Sequence, residues 1–186
     1  MNAAEQYARI REGLEQADAR AAALAARCTP EAWARRTPEG GWSPSECVQH
    51  LVLSVDAMLA RIDAAIADGH ARGITGDGPF SPGLLGRLLI WVLEPPYRRL
   101  RSRTGPAFVP AATRTPDADV AALRAAHDRV RESLARASGL ALDRLSILSP
   151  FDARASYNLY AAFAILPVHA RRHLWQAEQA IAAHRT

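Results

Sequence analysis

Apolar residues recur at three- and four-residue spacing along four long stretches of this chain, and they alternate strictly over no more than four residues anywhere. A period near 3.6 places such residues on one face of a helix, and that face is buried only against another element. An all-α fold follows. Residues 2–28 carry Tyr7, Ile10, Leu14, Ala17, Ala21, Leu24 and Cys28 on one side, with Asn2 to cap the start and Thr29-Pro30 to end it. Thr29-Pro30-Glu31 then opens a short helical turn over 30–36. Ser43-Pro44-Ser45-Glu46 opens the second long helix, with Ser43 as cap, Pro44 at the first helical position and Glu46 completing a capping box. It is expected to run to Asp68 and stop at Gly69, turning Cys47, His50, Leu51, Ser54, Met58, Ile62 and Ile66 inward. The third covers 117–138, with Leu123, Ala126, Val130, Ser133 and Leu134 on one side and Gly139 at its end. The last covers 157–183, with a kink expected at Pro167.

Residues 69–82 form a loop by their glycines and prolines, and 84–93 a short apolar helix closed by Pro95-Pro96. The longest link therefore joins the second and third long helices. The architecture predicted is a four-helix bundle with a long crossover between helices 2 and 3, forming a single domain over residues 1–186.

Composition narrows the function classes. Hydrophobic residues make up 49% and charged residues 23%, too apolar a balance for a disordered chain. No uncharged apolar run reaches the about 18 residues of a membrane helix, and Met1–Gln6 carries no signal-peptide pattern. All 23 basic residues are arginine, yet the net charge is only +4, which gives no call for nucleic acid. Two cysteines, Cys28 and Cys47, are too few for a disulfide scaffold or a Cys-rich zinc site and point to the cytoplasm. Tyr97 with Arg98, Arg99, Arg101 and Arg103 suits phosphate contact, although a solvated arm over the bundle is the simpler reading. The apolar segment around Leu88, Ile90, Trp91 and Leu93 has three uses, ranked as a lid over a pocket, a homodimer interface and a membrane-touching helix.

Six histidines occur. His169 and His173 stand four apart on the last helix and so share a face. By itself this pair also fits two partly exposed residues on an Arg-rich helix. His50 falls on the inner stripe of the second helix, so three imidazoles can converge from two helices. Three protein ligands with a position left open is the pattern of a catalytic divalent-metal site. His70 in the Gly-rich loop, His127 on a polar flank beside Asp128, and His184 at the C-terminus read as solvated. Glu46 shares the face of His50 but is explained by its capping box. Trp42 is expected to pack over the helix entrance, Arg172 to be exposed, Gln176 to stabilise its helix, and Cys47 to be buried and inert. Asn158 and Tyr160 either face a cavity or do not. The chain has no nucleophile elbow, Gly-rich phosphate loop or Cys-x-x-Cys pair.

Trp42-Ser43-Pro44-Ser45-Glu46-Cys47-Val48-Gln49-His50-Leu51, together with His169-Ala170-Arg171-Arg172-His173-Leu174-Trp175-Gln176, resembles the two motifs of the DinB-like (DinB/YfiT) superfamily of metalloenzymes. The basic segment and Phe108-Val109-Pro110 before the third long helix also fit, so the resemblance covers essentially the whole chain. It implies a four-helix bundle holding zinc or nickel through His50, His169 and His173. It also implies a small-molecule substrate and a metal-dependent transferase using bacillithiol, mycothiol or glutathione, or else a hydrolase. The alternatives are a non-catalytic metal- or ligand-binding protein of the same fold and a basic module binding nucleic acid.

Overall fold

The computed structural model describes residues 1–95, 104–110 and 114–184. The arginine run Arg98–Arg103 and Tyr97 lie outside the described residues. Among these residues the chain is all-α apart from one small hairpin. Four long helices, α1 (Ala3–Ala25), α3 (Pro44–Ala71), α5 (Pro116–Arg136) and α6 (Leu159–Ala182), form the bundle. Short helices α2 (Pro30–Ala34) and α4 (Gly83–Leu93) and a single 3₁₀ turn (Pro106–Phe108) decorate it. α1 and α3 each pack against both α5 and α6.

The caps sit where side-chain chemistry places them. Asn2 accepts from the Glu5 N–H at 2.9 Å while the Glu5 carboxylate accepts from the Asn2 N–H. Ser43 and Glu46 make the same reciprocal pair at the start of α3, satisfying two otherwise orphaned donors. The inward stripes expected on α3 and α5 are all buried. Of the stripe expected on the first helix, Ile10, Leu14, Ala17, Ala21 and Leu24 are buried, Tyr7 is half-buried, and Cys28, beyond the end of α1, is half-buried. Each leucine or isoleucine fully removed from water contributes about 1.5–3 kcal/mol, which is what holds helices of this length in place.

The boundaries differ from expectation where packing overrides local signals. Gly69 does not end the second long helix, which continues to Ala71 before Gly73 turns with φ +61°. A Cβ on Gly69 would lie 2.7 Å from Leu145 Cδ1, so this glycine serves close approach to the neighbouring chain. α1 ends at Ala25, three residues early, and α6 begins at Leu159 after its cap Asn158 and continues across Pro167. The irregular segment before α6 holds the hairpin, β1 (Ser146–Leu148) antiparallel to β2 (Ser156–Asn158), too short to show alternation in sequence. α4 packs on α6 and β2, with Leu85, Leu89, Ile90 and Leu93 against the core and Leu84, Leu88 and Trp91 exposed.

His127 is not a solvated flank residue. It is buried, and its Nδ1–H donates to Asp18 Oδ1 at 2.5 Å, while Arg131 binds the other oxygen at 2.6 Å. Burial pushes the Asp18 carboxyl up, but the hydrogen bonds from His127 and Arg131 outweigh it and hold it below the usual range. His70 lies in the last turn of α3 rather than in a loop, exposed, with Nε2 on the Arg136 carbonyl at 2.9 Å. His184 is exposed, its Nε2 on the Arg36 carbonyl.

Candidate metal centre

The capping box fixes where α3 begins, and with it the position of His50 two turns along the inner face. α6 packs directly against α3 and presents His169 and His173 from successive turns. The three rings meet. Their centroids are 5.3 Å apart for His50 and His169, 4.4 Å for His50 and His173, and 4.5 Å for His169 and His173. One nitrogen from each ring lies within 4.8 Å of the other two, a grouping that can hold a metal ion.

The surroundings set the state of each ring. His50 Nδ1–H donates to the Phe108 carbonyl at 2.8 Å, which fixes the tautomer and leaves Nε2 with its lone pair. Ser54 Oγ touches that Nε2 at a long 3.3 Å. His173 Nδ1 is buried without a hydrogen-bond partner, a state protein interiors seldom tolerate. His50 and His173 are buried and His169 partly so. Burial lowers the affinity of all three for protons. It pushes His169 down to about 3, with help from the nearby His50 and Arg172 charges. His173 is driven well below its ordinary value by burial, then by His169, His50 and Arg172; Gln176 opposes this without reaching hydrogen-bond geometry on Nδ1. His50 is lowered by burial against the opposing Phe108 hydrogen bond. Three neutral imidazoles with available lone pairs are the donor set that suits zinc or nickel, so the residues fit the implied ion.

Aromatic rings wall the group. Trp42 tilts over His50 at 4.8 Å and stacks on His173 at 5.9 Å, the packing role expected of it. Phe151, from the turn of the hairpin, stands 6.2 Å from His169 and 4.7 Å from Phe108. Neither phenylalanine side chain, nor the Phe108 carbonyl, was marked as part of the site by sequence spacing.

Other candidates fall away from the group. The Glu46 carboxylate accepts from the Ser43 N–H and pairs with Arg36, so the capping role stands. Burial, and secondarily Glu46, push the Cys47 thiol far up, which makes a thiolate ligand unfavourable there. Asn158 caps α6 through the Ala161 N–H and donates to the Ser81 carbonyl. Tyr160 belongs to the apolar core beside Phe80. Arg172 is buried, not exposed, and one of its guanidinium nitrogens donates to Val92 O at the end of α4. That contact ties the apolar helix to the face of α6 that carries the histidines. A surface hollow lined by Glu15, Asp18, Arg124 and Asp128 lies elsewhere, between α1 and α5.

Among the described residues no helix is long and apolar enough to cross a membrane. No curated protein and no solved structure matches the sequence significantly. The sequence model of the DinB superfamily matches residues 13–177, a span that includes all three histidines and most of each long helix. With that span of the 186 residues matched, the chain belongs to the DinB superfamily.

Proposed function

We propose that His50, His169 and His173 hold one divalent cation, zinc or nickel, and that the protein is a metal-dependent enzyme acting on a small molecule. The observation that carries this is the convergence of three imidazoles from two helices with no Cys, Asp or Glu in the group among the described residues. A divalent ion held this way lowers the pKa of a bound thiol or water, supplying thiolate or hydroxide near neutral pH. The protein's own groups prepare the place: the Phe108 carbonyl orients His50, and Trp42 shields the buried side of two rings from water. In the thiol reading the sulfur of bacillithiol, mycothiol or glutathione bonds to an electrophilic carbon, which expels a leaving group or opens a ring while the thiol proton passes to solvent; water in place of the thiol would make it a hydrolysis.

The whole of residues 1–186 acts as one domain in this reading, supported by Val52, which packs against both clusters of the core. Thiol, rather than disulfide, cysteines support a cytoplasmic setting. The exposed side of α4, with Leu84, Leu88 and Trp91, supports a homodimer through that helix.

The test begins with metal analysis of purified wild type and His173→Ala. Near one equivalent of zinc or nickel in the wild type and a sharp loss in the variant support the centre; equal content in both overturns it. A screen of the three thiols with an electrophilic acceptor then separates transferase from hydrolase, and a metal-loaded protein that turns over neither kind of substrate is a binding protein.

A further inference from the structure

We propose that Phe108 and Phe151 form the seat for a flat, uncharged portion of the substrate beside the metal centre, an inference that rests on the reading above. Phe151 is 45% exposed although it packs on one side against Phe108 and on the other toward His169. Val109, next to Phe108, is 41% exposed, and Leu148, at the end of β1, is 53% exposed. A phenyl ring left nearly half in water beside a group of imidazoles forgoes burial that a planar occupant would restore.

The pair is tied to the histidines. The same residue that supplies one ring supplies the carbonyl that orients His50, so the shelf and the triad keep a fixed relation. Phe151 is held by its own turn, its N–H donating to Ser149 Oγ at 3.2 Å. The Phe151 ring stands 6.2 Å from His169, the least buried of the three histidines.

Area decides the kind of occupant. An aromatic side chain offers about 150–250 Å², so the Phe108–Phe151 pair, one ring nearly half exposed and the other half-buried, presents on the order of 150 Å². A stable protein interface needs about 800 Å² from each partner. A small molecule fits and a second protein does not. Among the described residues of the hairpin turn, the charges of Asp152 and Arg154 are spent on each other through paired contacts of 3.0 and 2.9 Å. Rings tilted at 50° to one another give a planar group one face-on and one edge-on partner, the arrangement aromatic pairs prefer.

The test uses β-naphthol as a neutral planar probe, followed by saturation-transfer NMR on metal-free protein and by paramagnetic broadening on cobalt-loaded protein. Wild type and Phe151→Tyr should bind it alike, Phe151→Ala about tenfold more weakly, and Leu84→Ala, on the exposed face of α4, as wild type does. On cobalt-loaded protein the bound naphthol protons should broaden strongly. Unchanged binding by Phe151→Ala overturns the proposal, as does the absence of broadening when cobalt is bound. Should cobalt fail to bind, the metal reading falls, and the comparison on metal-free protein still decides the shelf.

Discussion

Metal-free protein should lose stability between pH 7.5 and pH 5, and His169 should carry a measurable share of the loss. Burial first, then the His50 and Arg172 charges, push this imidazole down to about 3 from an ordinary 6.5. In the unfolded chain it titrates near the ordinary value. Because the folded value is the lower one, the unfolded chain takes up the proton first as pH falls. The stability is therefore intact above about pH 6.5 and drains away until the folded value is reached. At pH 5 the unfolded imidazole is about thirtyfold more often protonated than not, while the folded one is still neutral, a difference worth roughly 2 kcal/mol. His50 and His173, lowered mainly by burial, add to the loss in the same direction. Asp18 does not confuse this window, because its contribution is lost only below its unfolded value of 3.8.

The assay is urea unfolding followed by far-UV circular dichroism, in chelator, on wild type and His169→Gln. The wild type should lose more stability than the variant between the two pH values, by roughly 2 kcal/mol. Equal losses would mean that His169 titrates normally in the folded protein, and the argument for a neutral, metal-ready triad would fail. Zinc added at pH 7.5 at a hundred times its dissociation constant should restore about 2.7 kcal/mol. At pH 5 that gain should shrink, because protons compete with the ion for the same lone pairs.

Three other outcomes are expected. Asp18→Asn breaks the buried contacts to His127 and Arg131 and should cost about 3 kcal/mol in urea unfolding while leaving zinc content unchanged. In the wild type, the Asp18 contribution is present above pH 3.8 and should disappear as acid unfolding proceeds through the lower folded value. Gly69→Ala drives a Cβ to 2.7 Å from Leu145 and 3.2 Å from Leu140, and should destabilise by about 1–3 kcal/mol despite the better helix propensity; a more stable variant would refute the packing role. Duplex DNA should bind only weakly at physiological salt, as read in a mobility-shift assay, since a net charge of +4 offers few phosphate contacts.

What the sequence made legible was whatever local chemistry decides alone. The caps at Asn2 and Ser43, the buried stripes of α3 and α5, and the shared face of His169 and His173 follow from helical spacing and side-chain donors, and the structure keeps them all. Gly69 was misread because a glycine that ends a helix and one that lets another chain approach look alike until Leu145 is in place. His127 carried a usable signal: Leu123, Ala126, His127 and Val130 share one face of α5, just as Leu14, Ala17, Asp18 and Ala21 share one of α1. An acid and an imidazole on two facing apolar stripes satisfy each other's hydrogen bonds, which single-helix reasoning cannot see.

The site divides along the same line. Its three nitrogen donors come from side chains whose spacing is fixed by helices, so residue type and period were enough to nominate them. The groups that set their state do not come from helices. The atom that orients His50 is a backbone carbonyl, which every residue possesses, and Phe108 brings it there only through a 3₁₀ turn in the crossover. Phe151 arrives on a hairpin of three-residue strands. The bundle thus brings the three imidazoles together, and the irregular segments fix the His50 tautomer and set a ring beside His169. On the proposed reading, relatives that keep the three histidines and change residues 104–110 and 149–155 should bind the same ion, as metal analysis would show, and differ in the small molecules they accept.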